Sequence, residues 1–151
     1  MSDSPRLAGS VNERLYFCRL LLDRAEREAA PAASLALAES AVLQLRLAYS
    51  LYLQELASGW RLAAAAPSAA HLRGTLEAEG RAAAELLELE VLEREDWLGT
   101  LLEAASALER PRSAADPDLI RTQAPLWSRC REWQQALEDL IARHREQTRE
   151  W

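Results

Sequence analysis

Apolar residues recur along this chain at alternating spacings of three and four, the period of helices that each bury one stripe. The first stripe is Val11, Leu15, Cys18, Leu22, Ala25 and Ala29, opened by Ser10 and Glu13 in an S-x-x-E capping box and stopped by Pro31. The second, starting at Ser34 or Ala33, is Leu35, Ala38, Val42, Leu45, Tyr49, Tyr52 and Leu56. Gly59 suits its C-cap, unless the run from Ala63 to Ala66 carries the helix on to Pro67. Ser68 caps a third helix that carries Leu72, Leu76, Ala83, Leu87 and Val91, with Leu86, Leu89 and Leu92 alongside, and is weakened by Gly74 and Gly80. A break near Glu95 lets Asp96 cap a shorter fourth helix bearing Leu98, Leu101, Leu102, Ala105 and Leu108. Residues 110–118, Arg-Pro-Arg-Ser-Ala-Ala-Asp-Pro-Asp, form the clearest loop. The last helix opens near Ile120 or Leu126, with Pro125 at its first turn or at a kink. It aligns Leu126, Cys130, Trp133, Leu137, Leu140 and His144.

These elements predict an all-α fold, an antiparallel four-helix-type bundle with four to five helices, whose first, second and last members are roughly 30 to 40 Å long. Residues 1–9, with Pro5, Gly9 and no periodicity, are expected to be a disordered tail, and residues 10–151 a single domain. Composition points the same way, since 29 alanines and 28 leucines against three valines and two isoleucines disfavour a sheet. All 18 basic residues are arginine, which excludes side-chain Schiff-base chemistry and a lysine-bearing phosphate loop. Cys18 and Cys130 both fall on apolar stripes and read as buried, reduced thiols. The start, Met-Ser-Asp-Ser-Pro-Arg, lacks the basic and apolar regions of a signal peptide, and no apolar run approaches the roughly 20 residues that span a bilayer. The expected setting is the cytoplasm, with no membrane association.

Candidate chemistry is sparse. A di-metal carboxylate bundle uses Glu-x-x-His, but Ser68 precedes His71 by three and Ile141 precedes His144 by three. No G-x-S-x-G or G-x-G-x-x-G occurs, so no catalytic residue, cofactor or metal is assigned and the chain reads as non-enzymatic. His144, alone on an apolar stripe, reads as an interior or edge histidine without a partner to act upon, and His71, beside a cap, as solvated. The net charge of -6 is concentrated between Glu77 and Asp96, where eight acids face two arginines. Glu77, Glu85, Glu88 and Glu90 offer an acidic docking face. The alternative is a solvated helix face strengthened by pairs such as Arg81 with Glu85 and Glu90 with Arg94. Either way phosphates are repelled, and nucleic-acid binding is disfavoured.

Two apolar features remain. Leu37, Leu43, Leu47 and Leu51 widen the second helix beyond one stripe, which makes it the most buried helix or gives it a face for a partner, including a homodimer. Tyr16, Tyr49, Tyr52 and Trp133 could line a small-molecule pocket, although tyrosines on a stripe more often edge the core with the hydroxyl in water. Trp60 and Trp97, at helix junctions, suit plugs at a bundle end.

The segment Asn12-Glu-Arg-Leu-Tyr-Phe-Cys-Arg-Leu, the alanine-rich second helix, and Asp96-Trp-Leu-Gly-Thr-Leu-Leu with a proline loop after it resemble a family of small uncharacterised cytoplasmic proteins of Pseudomonas and relatives, a domain of unknown function. The likeness covers most of the chain and brings no catalytic residues. It implies an adaptor or stress-linked role. The leading expectation is therefore a non-enzymatic bundle acting by protein–protein contact, and the alternative is a bundle that binds a small molecule in a pocket lined by tyrosine and tryptophan.

Overall fold

A computed structural model of the chain describes residues 3–62, 67–112 and 124–149. Among the described residues the fold is all-helical, with six helices rather than four to five: α1 (Ser4–Arg27), α2 (Pro31–Gly59), α3 (Ala69–Ala78), α4 (Ala84–Glu95), α5 (Trp97–Ala107) and α6 (Leu126–Arg149). The Ala63 to Ala66 run, most of the proline loop after Arg112, and Trp151 lie outside the described residues.

Long-range contacts give the directions. Ser34 donates its hydroxyl to the Ala25 carbonyl (2.8 Å) and Arg14 reaches Gln44 (3.2 Å), so α1 and α2 run antiparallel. Cys130 lies against the Ala38 carbonyl, Tyr52 against His144, and Glu55 against Arg145; both members of these pairs ascend together, so α2 and α6 are parallel. Arg131 meets Asp23 and Glu26 while Arg145 meets Asn12, which sets α6 antiparallel to α1. The α4–α5 pair supplies the fourth side through Glu88 to Arg143 and Glu109 to Arg46. The core between these helices includes Val11, Leu15, Leu22, Leu45, Tyr52, Leu101, Leu137 and Ile141, all nearly or fully buried.

The stripes of α1 and α6 are buried as expected, with Val11, Leu15, Cys18, Leu22 and Ala25 on one and Cys130, Trp133, Leu137, Leu140 and His144 on the other. Three boundaries differ, the first being that α2 opens at Pro31 and not at Ser34 or Ala33, because proline fits the first helical turn where no amide partner is needed. Helix α1 begins at Ser4, not Ser10, so residues 4–9 belong to the helix and not to a tail. Pro5 favours this start because it removes an amide that would be unpaired in the first turn, and the Ser10 hydroxyl donates back to the Arg6 carbonyl instead of capping. Gly59 is the last helical residue of α2, not its cap. The left-handed position falls on Arg61 (φ 58°), where Leu62 N–H donates to Ala57 and Arg61 N–H to Ser58.

The third expected helix is two. At Gly80 (φ 71°) the chain turns left-handed, with Arg81 N–H bonded to the Leu76 carbonyl and Gly80 N–H to the Glu77 carbonyl, the paired closure of a Schellman motif. The break resets the helical phase, so α4 buries Leu86 and Leu89 and exposes Leu87 and Val91, which the continuous stripe had placed inside. The same excess of apolar positions leaves Leu35 and Ala29 exposed. Ser68 caps α3 through His71 N–H (3.1 Å), and Glu93 accepts from Ala69 N–H (2.9 Å) and from the Tyr49 hydroxyl, tying α2, α3 and α4 together.

The Asp-Trp-Leu-Gly corner has a physical reading. Asp96 accepts from Trp97 N–H (2.7 Å), Leu98 is fully buried, and Trp97 packs on the edge of the core. A Cβ at Gly99 would sit 2.3 Å from the Glu93 carbonyl oxygen, so glycine alone lets α5 pack this closely on the end of α4.

Candidate functional site

Polar residues placed on apolar stripes converge at the end of the bundle where α6 finishes. His144, 1% exposed, is held through both ring nitrogens: Nδ1 lies 2.6 Å from the Tyr52 hydroxyl and Nε2 2.9 Å from a Glu88 carboxylate oxygen. The Arg143 guanidinium forks onto Glu88 and, with His144 adding a smaller effect, holds its carboxyl down at about 2 despite partial burial. Ionised Glu88 can only accept, so Nε2 carries a proton, and Nδ1 shares its hydrogen bond with the Tyr52 hydroxyl. Burial, more than the nearby Glu55 carboxylate, keeps the Tyr52 phenol protonated well above its usual range.

On the next residue, Arg145 forks onto buried Glu55 through Nε and Nη2 with two bonds of 2.9 Å, while Nη1 donates to Asn12 (2.8 Å) and Nη2 also reaches the Ala8 carbonyl. This guanidinium joins α1, α2 and α6. Among the described residues no buried side-chain nitrogen or oxygen lacks a partner. An open cleft of about 840 Å³ lies over this end, with Asn12, Tyr52, Trp60, Glu85, His144 and Arg145 in its walls. Among the described residues no group of three His, Cys, Asp or Glu side chains is placed to hold a metal ion.

The four expected pocket residues do not meet. Tyr16 is half exposed on the outside of α1, Tyr49 is spent on Glu93 inside the core, Tyr52 lines the end cleft, and Trp133 stands beneath the Arg129 guanidinium (5.2 Å) in a separate hollow against α5. The physical reason is that Tyr16 faces away from the α1 stripe, while Tyr49 and Tyr52 share the buried face of α2 but send their hydroxyls to different partners, Glu93 and His144.

Nor do Glu77, Glu85, Glu88 and Glu90 form a free acidic face. Arg73 of α3 forks onto Glu90, which is nearly buried, and also pairs with Glu77; Arg143 of α6 neutralises Glu88. The hydrogen bonds that Arg73 donates hold the Glu90 carboxyl below its usual range, and the same bonds raise the Arg73 guanidinium. The expected pairs of Arg81 with Glu85 and Glu90 with Arg94 are replaced by these cross-helix contacts and by Arg81 with Glu79. Glu85 keeps its carboxylate toward the end cleft.

The leucines of α2 divide. Leu51 packs against the core, Leu37 and Leu43 are half-buried, and only Leu47 is exposed. The larger apolar patch is on α1, where Tyr16 (51% exposed), Phe17 (36%) and Leu20 (49%) are adjacent, their edge marked by Arg19, whose guanidinium lies 6.0 Å over the Tyr16 ring. Their positions relative to the Val11–Ala25 stripe carried the signal, since apolar residues opposite a buried stripe face outward. Cys18 and Cys130 are buried thiols, each pushed up to about 12 chiefly by burial.

The chain belongs to a family of unknown function, DUF6586, which matches residues 4–151. No curated protein and no solved structure matches it. No helix among the described residues is long and apolar enough to cross a membrane.

Proposed function

We propose that this protein acts by protein–protein contact, as an adaptor, and that it presents the outer face of α1 to its partner. The observation that carries the reading is the contiguous exposure of Tyr16, Phe17 and Leu20. Scattered surface leucines are ordinary, but three large apolar side chains at i, i+1 and i+4 form a patch that folding does not use. His144 supports an adaptor over an enzyme, because both of its ring nitrogens are already engaged, by Tyr52 and by Glu88. A bacterial, cytoplasmic setting belongs to the same proposal and rests on the resemblance of the sequence. A photo-cross-linking amino acid at position 20, compared with one at exposed position 146, tests it in cells. The expected result is a protein adduct from position 20 and none from 146; no adduct from position 20 overturns the reading.

A second reading, a small-molecule binder, is favoured by the end cleft, where Trp60, Tyr52 and the unpaired carboxylate of Glu85 meet. It requires a ligand-dependent rise in melting temperature that Trp60→Ala removes. A flat response across amines and nucleotides at millimolar concentration ends it.

A further inference from the structure

We infer that the partner of the α1 face is a second copy of this chain, packed through α1 against the same helix of the other copy in antiparallel register. The inference rests on the reading of that face as an interaction surface and names its occupant. The outward ridge of α1 runs through Gly9, Glu13, Tyr16 and Phe17, Leu20, Arg24 and Arg27, all exposed and spaced by three and four. Its apolar centre thus has an acid on the N-terminal side and two arginines on the C-terminal side.

That order is self-complementary in one direction only. A two-fold axis between Phe17 and Leu20 sets Phe17 of each copy on Leu20 of the other and brings Glu13 of each copy opposite Arg24 of the other, twice by symmetry. The next residues outward along the helix, Ser10 and Arg27, oppose one another without conflict. A parallel pairing instead places Glu13 on Glu13 and Arg24 on Arg24, so charge selects the antiparallel arrangement. Both groups are available. Among the described residues Glu13 makes no side-chain hydrogen bond or ion pair, and the contact of Arg24 is to Glu28 at 3.5 Å, with the arginine side chain largely exposed. The ridge from Gly9 to Arg27 is about 27 Å long, and two such faces bury on the order of 1,000 Å², the lower edge of specific complexes. The dimer is therefore reversible and concentration-dependent, and because the contact is isologous it closes at two copies.

Sedimentation and light scattering across micromolar concentrations test this on the full chain. The expected mass rises from 16.9 kDa toward twice that value as concentration increases. Glu13→Arg and Arg24→Glu, each creating two like-charge contacts, weaken association by about tenfold or more, and the double variant Glu13→Arg with Arg24→Glu recovers it. Leu20→Glu abolishes it while the melting curve stays unchanged. A monomer throughout the range overturns the inference, as does a dimer indifferent to Leu20→Glu or a charge-swapped chain that fails to recover. If the chain is monomeric but the cross-linker at position 20 still captures a different protein, the self-association inference fails and the interaction-surface reading stands. If neither occurs, both fail.

Discussion

The end of the bundle around His144 and the outer ridge of α1 reverse the usual placement of polarity. At the first, His144, Glu55 and Tyr52 are buried with half-buried Glu88 beside them, and among the described residues every hydrogen-bonding side-chain atom fully enclosed there has a partner. At the second, a tyrosine, a phenylalanine and a leucine stand in water with no apolar neighbour from another helix to cover them. The difference teaches which feature needs an explanation outside the chain. A buried polar group left without a partner costs roughly 1–3 kcal/mol, so the network of Tyr52, His144, Glu88 and Arg143 is accounted for by holding α2, α4 and α6 in register. The α1 patch is left about half exposed by the fold, and that exposure is what the proposed partner would account for.

Four measurements sharpen or break this contrast. The largest effect is expected on α1 itself: Leu22→Ala, at a fully buried site, lowers unfolding free energy by about 3 kcal/mol in urea titrations. A loss below about 1 kcal/mol would mean that the α1 stripe is not core. Tyr52→Phe removes the hydroxyl hydrogen-bonded to His144 Nδ1 and lowers stability by about 1–2 kcal/mol; a neutral outcome would show that water replaces the hydroxyl and that the site is wetter than its burial implies.

The third is a pH dependence. The Arg143 guanidinium holds the Glu88 carboxyl down at about 2, below the ordinary glutamate value near 4.5, so its contribution to stability is fully present above about pH 4.5 and lost as pH falls through about 2. Glu88→Gln should flatten the acid limb of the stability curve in that window, and an unchanged slope would place the acid sensitivity in other carboxylates. The smallest effect is expected at Leu20→Ala, within about 0.5 kcal/mol of the parent by the same titrations, although it lies two residues from Leu22. A larger loss would mean that Leu20 is covered in the isolated chain and would remove the reason for seeking a partner.

Much of the fold was legible in the sequence because its signals are local. The stripes of α1 and α6 follow from spacing alone, and Ser68 and Asp96 cap the helices that follow them because their side chains reach amides one to three residues away. The split between α3 and α4 was half legible: Gly80 was visible as a weak point, but only the left-handed turn showed that five residues change the phase and exchange Leu87 and Val91 for Leu86 and Leu89. The candidate site was less legible. Tyr16, Tyr49, Tyr52 and Trp133 share a chemistry but not a direction, and the acids around Glu88 looked free because their arginines arrive from α3 and α6.

The sequence by itself determined the helical class, the buried faces of the first and last helices, the exclusion of lysine chemistry and the outward position of Phe17 and Leu20, all of which follow from residue type and a period of 3.6. Only the tertiary structure decided that His144 is doubly bonded, since Glu88 and Tyr52 are 56 and 92 residues away, and that Glu77, Glu79, Glu88 and Glu90 of the acidic segment are paired with arginines. Periodicity says which way a side chain points, while the identity of what it meets depends on how distant helices are docked.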